Sequence, residues 1–240
     1  MLVKILIFLF LIVNSFSAGF PYYYYDIKSS KMQKKEFIKL LLPLVEKSDA
    51  KVRKERKFVK NFFENAGKNS FREISEISLA ILISLYKKYK IHNLFDEHEY
   101  LKKIDIVPVS LAIAQAAAES GWGKSRFVLE ANNIFGEWTY SGNGIVPIDR
   151  AEGKTHTLRI FKTLQDSVNS YILNINRHKA YRSFRAKRES ARKKGIIYNG
   201  SMAAKTMLYY SQRRGKYVRF LENIIKSNNL LYYDRLPNSL

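Results

Sequence analysis

The sequence predicts a predominantly helical α+β fold in which a small β-hairpin lobe lies beside one central, buried helix. Three patterns indicate this arrangement. Apolar residues recur at helical spacing within 36–89, the segment 109–118 is apolar on nearly every side, and strand-like stretches follow at 145–148 and 155–161 with turns between them. With 240 residues, the chain can form one or at most two domains with a substantial core.

The composition excludes several kinds of site. Lys and Arg number 42 against 21 Asp and Glu, a net charge of +21, which predicts an anionic partner such as nucleic acid, a membrane surface or cell wall. The absence of cysteine excludes a Cys-based zinc site and a thiol nucleophile. The four histidines lack the His-x-x-x-His spacing of zinc hydrolases. We therefore expect neither a metal nor a cofactor.

Residues 1–17 have the pattern of a secretory signal peptide. Lys4 supplies a positive start, 5–13 is an unbroken apolar run, and the small residues of 15–18 suit a signal peptidase. The run is shorter than the roughly 20 residues of a spanning helix, so no stable membrane span is expected after cleavage, although retention as an anchor stays open. An exported protein rarely meets nucleic acid, so we expect a periplasmic or cell-envelope protein whose anionic partner is the wall.

The chain after the signal divides into three predicted parts. Residues 18–35, with four consecutive tyrosines followed by Lys and Ser, show no clear period and are interpreted as a linker. Residues 36–100 are predicted to form helices that pack on the core. These are two basic amphipathic helices separated at Ser48-Asp49 and a third from Ser75 to Tyr89, capped by its first residue. Residues 101–235 are predicted as the main domain.

One carboxyl group lies where general acid catalysis could use it. The central apolar helix is predicted to end at Gly121, and the strongly polar side chains of its C-terminal half are Gln115 and Glu119, four residues apart on one face. Burial and the negative end of the helix dipole both disfavour the ionised form, so we expect a raised pKa for Glu119. A salt bridge to Arg126 is the structural alternative.

The segment that follows surrounds this acid with aromatic rings and further carboxyl groups. Trp122 comes three residues after the acid, and 132–140 reads Asn-Asn-Ile-Phe-Gly-Glu-Trp-Thr-Tyr. Planar rings beside a buried carboxyl suit sugars, whose C–H faces pack on aromatic surfaces. The β-hairpin lobe carries three candidates for a second catalytic acid, Glu137, Asp149 and Glu152, each of which could instead be an exposed loop acid.

These segments resemble a known family. Ala118-Glu-Ser-Gly-Trp-Gly123, Asn132-Asn-Ile-Phe-Gly136 and the stretch 166–181 are similar to the Bax-like branch of bacterial N-acetylglucosaminidase-domain proteins, glycoside hydrolase family 73. The resemblance extends from about Phe37 to the C-terminal helix. It implies a lysozyme-like α+β fold for residues 101–235, as a glucosaminidase domain.

The resemblance also implies roles for individual residues. The motif glutamate of the family is the general acid, which corresponds to Glu119, and a tyrosine near that acid corresponds to Tyr181. The family's second acid aligns with Asp149 or Glu152. The candidate substrate contacts in these segments are Gln115, Trp122, Asn133, Phe135, Gly136, Trp138 and Tyr171.

The resulting functional hypothesis is an exported bacterial peptidoglycan hydrolase. It would be a monomeric endo-β-N-acetylglucosaminidase that cleaves glycan strands after N-acetylglucosamine. A lytic transglycosylase acting on the same polymer and a non-catalytic wall-binding scaffold are the alternatives. The basic run at 177–194 is interpreted either as a solvated helix face or as an electrostatic rail for the anionic wall.

Overall fold

This computed structural model describes residues 18–235, except for 69, 141–143, 148–152, 154 and 208–213. The predicted signal peptide, residues 1–17, lies outside the described residues. The described helices are α1 (Tyr22–Tyr25), α2 (Ser30–Lys68), α3 (Glu76–Tyr89), α4 (Glu97–Lys103), α5 (Val109–Ser120), α6 (Arg126–Ala131), α7 (Leu164–Arg177), α8 (Arg182–Lys193), α9 (Gly200–Ala204) and α10 (Arg214–Ser227), with 3-10 helices at Lys179–Tyr181 and Leu230–Arg235. The strands are β1 (Trp138–Thr139), β2 (Gly144–Ile145) and β3 (Thr157–Arg159).

Helix α5 runs through the middle of the core, as its composition predicts. Ten of its 12 residues are buried, because α2, α9, α10 and the C-terminal 3-10 helix pack around it. The close approach of α9 requires Gly200, where an added Cβ would lie 2.8 Å from the backbone nitrogen of Leu111. Gly121 ends the helix in the left-handed conformation, with φ +57°, and its N–H donates to the Ala117 carbonyl.

The N-terminal helices join the same core. The break predicted at Ser48-Asp49 is wrong: α2 is continuous there, both residues are buried, and the Ser48 hydroxyl donates to Asn169 Oδ1 of α7 at 2.7 Å. The Ser48 side chain bonds across helices instead of ending one. The helix capped by Ser75 is confirmed as α3. One hydrophobic cluster includes side chains from both 36–100 and 101–235.

Residues 18–35, interpreted from sequence as a linker, include helix α1 and the start of α2, and part of this segment packs against the core. Phe20 is 4% exposed and Tyr24 is fully buried, and the Tyr24 hydroxyl donates to the Trp122 carbonyl. The ring centroids of Phe20 and Phe37 lie 5.4 Å apart. Helix α1 is too short to show a period, and its burial depends on partners distant in the sequence.

Part of the basic run at 177–194 is buried. Arg188 of α8 is 3% exposed and donates to the Asp105 carbonyl at 2.9 Å. The Asp105 carboxylate accepts from Arg192 Nε at 2.7 Å and lies 3.7 Å from Arg56 of α2. Burial acts to raise the pKa of Asp105, but the three arginines hold it below its ordinary value. The two interpretations of this run, a solvated helix face and a binding surface for the anionic wall, therefore apply to only part of it. The buried arginines instead join helices.

The β lobe is a three-stranded antiparallel sheet in the order β1–β3–β2. Leu158 of the central strand pairs with Trp138 on one side and with Ile145 on the other. The strand at 138–139 is additional to the two predicted strands. Part of the predicted 145–148 strand and the acids of 149–152 lie outside the described residues.

The C-terminal helices differ from the sequence prediction at one point. The sequence predicts helices at 201–210 and 217–225 with Gly215 as the turn between them. In the structure, Gly215 instead lies in the first turn of α10. Helix α9 is only five residues long, and the rest of the helix predicted at 201–210 falls partly outside the described residues. None of the described helices combines the length and apolar character needed to cross a lipid bilayer.

We expect Asp105→Asn to lower the free energy of unfolding by about 3–5 kcal/mol, because it removes the carboxylate that offsets a cluster of arginine charges. Urea denaturation followed by circular dichroism measures the loss. The control is Glu64→Gln, which removes an exposed pair with Lys68 and should change stability by less than about 1 kcal/mol. Equal losses in the two variants would contradict a structural role for the cluster.

Candidate active site

Glu119 lies on the last turn of α5 and is half-buried. Its Oε1 accepts a hydrogen bond from the hydroxyl of Tyr217 in α10, 2.7 Å away. The alternative salt bridge to Arg126 does not form in the described part of the chain. Arg126 instead lies 3.7 Å from Glu130 and donates to the Val146 carbonyl. The acid therefore has a neutral hydroxyl as its partner.

The electrostatics of the Glu119 carboxyl suit proton donation. Burial raises its pKa above the ordinary value for glutamate, and the hydrogen bond from Tyr217 acts in the opposite direction. This agrees with the direction predicted from the position of the acid at the end of an apolar helix. A carboxyl group that holds its proton to higher pH can deliver it to a leaving group.

A buried chain of hydrogen bonds fixes the partner of the acid. Gln115 Nε2 donates to the Tyr217 hydroxyl at 3.1 Å, and the hydroxyl of Tyr171 donates to Gln115 Oε1 at 2.6 Å. The Tyr171 ring stacks on Phe135, with ring centroids 3.9 Å apart. Gln115 is fully buried, and Tyr171 and Phe135 are at most 6% exposed. These three predicted substrate contacts thus orient Tyr217 beside Glu119, and their direct contact with substrate stays a prediction.

Tyr181 lies near two carboxylates. Burial, and then the charges of Glu119 and Glu137, raise its pKa, so its hydroxyl keeps its proton and can donate a hydrogen bond. The carboxylate of Glu137 is already engaged, since it accepts from Arg159 Nη1 at 2.7 Å and from Ser170 Oγ at 2.6 Å. The structure therefore brings Tyr181, the general-acid candidate and one of the three candidate second acids into one neighbourhood.

The Asn-Asn-Ile-Phe-Gly turn is shaped by its second asparagine. Asn133 is 1% exposed, and its Nδ2 donates to the carbonyls of Glu137 and Arg159, each at 2.9 Å. Its Oδ1 accepts from the Glu137 N–H. Gly136 has φ +64°, a conformation that favours glycine. Asn133 holds the turn against β3, and Gly136 allows its backbone conformation. Contact of either residue with substrate stays a prediction.

The two tryptophans differ in accessibility. Trp122 is half-buried, with its ring edge-on to Phe37 at 5.5 Å and the ammonium of Lys34 5.2 Å from its centroid. Trp138 is 56% exposed and stacks on His156, with centroids 4.2 Å apart. Trp138 therefore presents the more accessible aromatic surface.

Two of the predicted site residues, Asp149 and Glu152, lie outside the described residues. Within the described ranges, no group of three or more His, Asp or Glu side chains is placed to hold a metal ion.

Comparison with protein families identifies the family of the chain. Residues 97–230 match the family model Glucosaminidase, described as mannosyl-glycoprotein endo-beta-N-acetylglucosaminidase. This match covers more than half of the chain and includes Glu119, Tyr181 and Tyr217. The chain belongs to the glucosaminidase family.

Two individual relatives of this glucosaminidase-family protein have low sequence identity to it. Protein bax of Escherichia coli (strain K12) is 28% identical over 208 residues, which are 85% of this chain and 72% of that protein. Among solved structures, the catalytic domain of the autolysin Auto from Listeria monocytogenes is 20% identical with a TM-score of 0.41, covering 73% of this chain and 87% of that chain. The family resemblance and the predominantly helical α+β class predicted from sequence are confirmed. By family, the chain is a glycoside hydrolase.

Sequence reasoning missed the hydroxyl that contacts the Glu119 carboxyl. Tyr217 was predictable only as a packing residue, on the apolar face that it shares with Leu221 and Ile224. A buried tyrosine hydroxyl usually has a hydrogen-bond partner, which is the signal that could have found it. The hydrogen bonds that Arg159 and Ser170 donate to the Glu137 carboxylate were also missed.

We expect Tyr217→Phe to raise the pKa of Glu119 further, because the lost hydrogen bond favours the ionised carboxyl. Carbon-13 NMR titration of glutamate side-chain carboxyls measures the shift. Tyr232→Phe is the matched control, since Tyr232 is 63% exposed, and it should leave the Glu119 titration unchanged. A fall in the Glu119 pKa of the Tyr217 variant would contradict this account.

Proposed function

We propose that this glucosaminidase-family protein is an exported bacterial peptidoglycan hydrolase, an endo-β-N-acetylglucosaminidase that cleaves glycan strands after N-acetylglucosamine. The observation that carries the proposal is the half-buried Glu119 carboxyl, whose pKa is raised by burial. A binding module has no need of an acid at the end of an apolar helix, whereas glycoside hydrolysis requires one. The family description, an endo-beta-N-acetylglucosaminidase, supports this choice of bond.

In the proposed reaction Glu119 protonates the glycosidic oxygen as its bond to the anomeric carbon breaks. Water adds to the oxocarbenium-like carbon and loses a proton, which leaves a reducing N-acetylglucosamine end. Tyr217, held by Gln115, keeps the acid oriented through its hydrogen bond. The raised pKa of Tyr181 supports a role in which it keeps its own proton and donates a hydrogen bond to substrate beside the acid.

A second carboxylate would come from the β lobe. Glu137 is already held by Arg159 and Ser170, so we propose Asp149 or Glu152 for this role. A separation of about 5–5.5 Å from Glu119 would give a covalent, retaining route, and about 6.5–9.5 Å an inverting one. If neither acid acts, the acetamido group of the substrate can serve as nucleophile, an established exception to the two-carboxylate rule.

The proposed substrate is the glycan strand itself. The accessible ring of Trp138 supports stacking with a sugar face, and Trp122 would form a second, partly covered wall. The other predicted contact residues would support this surface from the interior: Gln115, Asn133, Phe135, Gly136 and Tyr171. The net charge of +21 supports encounter with the anionic wall, in preference to nucleic acid, because the pattern of residues 1–17 favours export. We propose a periplasmic or envelope location and a monomer.

Glu119→Gln should lower the rate of muropeptide release from purified sacculi by at least about 100-fold, because the amide cannot donate the catalytic proton. Glu130→Gln is the control: Glu130 lies on neighbouring α6, where it is half-exposed and pairs with Arg126, and its loss should leave the rate within twofold. Near wild-type release by the Glu119 variant would overturn the proposed general acid.

The released fragments distinguish the proposed enzyme from its alternatives. Mass spectrometry is expected to show reducing N-acetylglucosamine termini. Anhydro-sugar termini would instead identify a lytic transglycosylase. No release by the wild-type protein, with sacculus binding intact, would identify a wall-binding scaffold.

Asp149→Asn or Glu152→Gln should lower the same rate by about 100-fold or more if that residue activates water or attacks the sugar. Glu137→Gln is the comparison variant from the same lobe. Wild-type rates in both the Asp149 and Glu152 variants would contradict a second carboxylate and favour participation of the substrate acetamido group, while leaving the role of Glu119 unaffected.

A further inference from the structure

A large cavity lies at the corner where α7 meets α8. Its volume is about 810 Å³, and its walls come from the end of α7, the start of α8, helix α4 and Lys90 at the end of α3. Seven Lys or Arg side chains line it against two carboxylates, those of Asp96 and Glu99. The lining includes neither the general-acid candidate nor Tyr181.

Both of these carboxylates already interact with other groups of the protein. Glu99 lies 2.8 Å from the ammonium of Lys103, and Asp96 accepts from the Glu99 N–H at the start of α4. Lys102 pairs outside the cavity with Glu189, at 3.6 Å. In the described part of the chain, the other five cations of the lining have no carboxylate at ion-pair distance: Lys90, Arg177, Lys179, Arg182 and Arg185.

Arg185 shows that this positive charge is built into the fold. It is 4% exposed, and its Nη1 donates to the carbonyls of Ile175 and His178 at 2.8 and 2.9 Å. Burial, and then the neighbouring charge of Arg182, lower its pKa to about 10. A buried cation without a carboxylate partner is costly unless an anion offsets its charge.

The arrangement of the cations indicates the chemistry of that anion. Arg182 and Arg185 are three residues apart on α8, so their guanidinium groups project from one face. Planar guanidinium groups bind phosphate oxygens in pairs, and Lys90 and Lys179 add compact charges on either side. A single carboxylate would leave most of the five cations without a partner.

We propose that this cavity binds a ligand that carries two or more phosphate groups. Binding here does not require glycan cleavage, so the proposed function and this site can fail independently. A free diphosphate and a phosphodiester chain share this chemistry and are distinguished by the probes below.

Isothermal titration of the full-length protein with inorganic pyrophosphate at low ionic strength tests the site. We expect saturable binding of one pyrophosphate per chain, weakened at least tenfold in the double variant Lys90→Gln/Arg182→Gln. The control is Lys187→Gln/Lys226→Gln, which removes two exposed lysines outside the cavity and should change the affinity by less than twofold. Absence of saturable binding, or equal weakening in both double variants, would overturn the proposal.

Two further titrations define the ligand. Citrate at the same ionic strength should bind at least tenfold more weakly, and equal affinity would overturn the assignment to phosphate. A soluble glycerol phosphate oligomer that binds as tightly as pyrophosphate would support recognition within a phosphodiester chain, whereas tight binding of pyrophosphate alone would support a free diphosphate.

His178 provides a local readout that a general charge effect would not give. Its Nδ1 accepts from the Ala180 N–H at 3.2 Å, and burial together with the surrounding cations lowers its pKa. These cations are Lys90, Lys179, Arg185 and Arg177. A bound pyrophosphate should raise the His178 pKa in an imidazole nitrogen-15 titration. The rise should be lost in the Lys90→Gln/Arg182→Gln variant and kept in the Lys187→Gln/Lys226→Gln variant. An unchanged His178 pKa in the wild-type protein saturated with pyrophosphate would contradict binding in the cavity.

Discussion

Helix α5 has so few polar side chains that every surface of it must be covered by another part of the chain. Helices α2, α9 and α10 and the C-terminal 3-10 helix provide that cover. Because they come from both ends of the described chain, the core forms only when distant segments meet. The Glu119 carboxyl lies where this cover opens, because Ala118 and Glu119 are the two α5 residues that stay half-exposed. The constraint that organises the fold therefore also locates the site.

Placing a carboxyl at that opening works against stability. Burial raises the pKa of Glu119 in the folded state above its unfolded value of about 4.3, so the folded protein binds a proton more tightly than the unfolded chain does. The contribution of this group to stability is therefore lost as the pH rises from the unfolded pKa through the folded one. The hydrogen bond from Tyr217 offsets part of this cost. The packing of α5 contributes stability that compensates for the remaining cost of burying the Glu119 carboxyl.

The excess positive charge has several roles in one molecule. Arg188 is buried and joins α8 to the segment before α5 through the Asp105 carbonyl. Surface lysines such as Lys68 and Lys193 pair with carboxylates one helical turn away. Five of the seven cations that line the basic cavity at the α7–α8 corner have no carboxylate at ion-pair distance within the described residues. Net charge alone predicts an anionic partner but does not distinguish these environments, because the same residue types serve all three.

The sequence by itself determined the central helix, its C-terminal glycine, the acid on its last turn and the helix capped by Ser75. Each of these depends on local periodicity or on a capping residue, which neighbouring residues encode. Only the tertiary structure decided that α2 continues through Ser48-Asp49, that Tyr24 packs in the core, and that Tyr217 contacts Glu119. Those outcomes depend on partners about 100 residues away, where a polar or aromatic side chain has the same local signature whether it is solvated or buried. The tertiary structure also distinguishes the arginines that join helices from those that line the cavity. Burial and ion pairing of these side chains arise only when the helices pack.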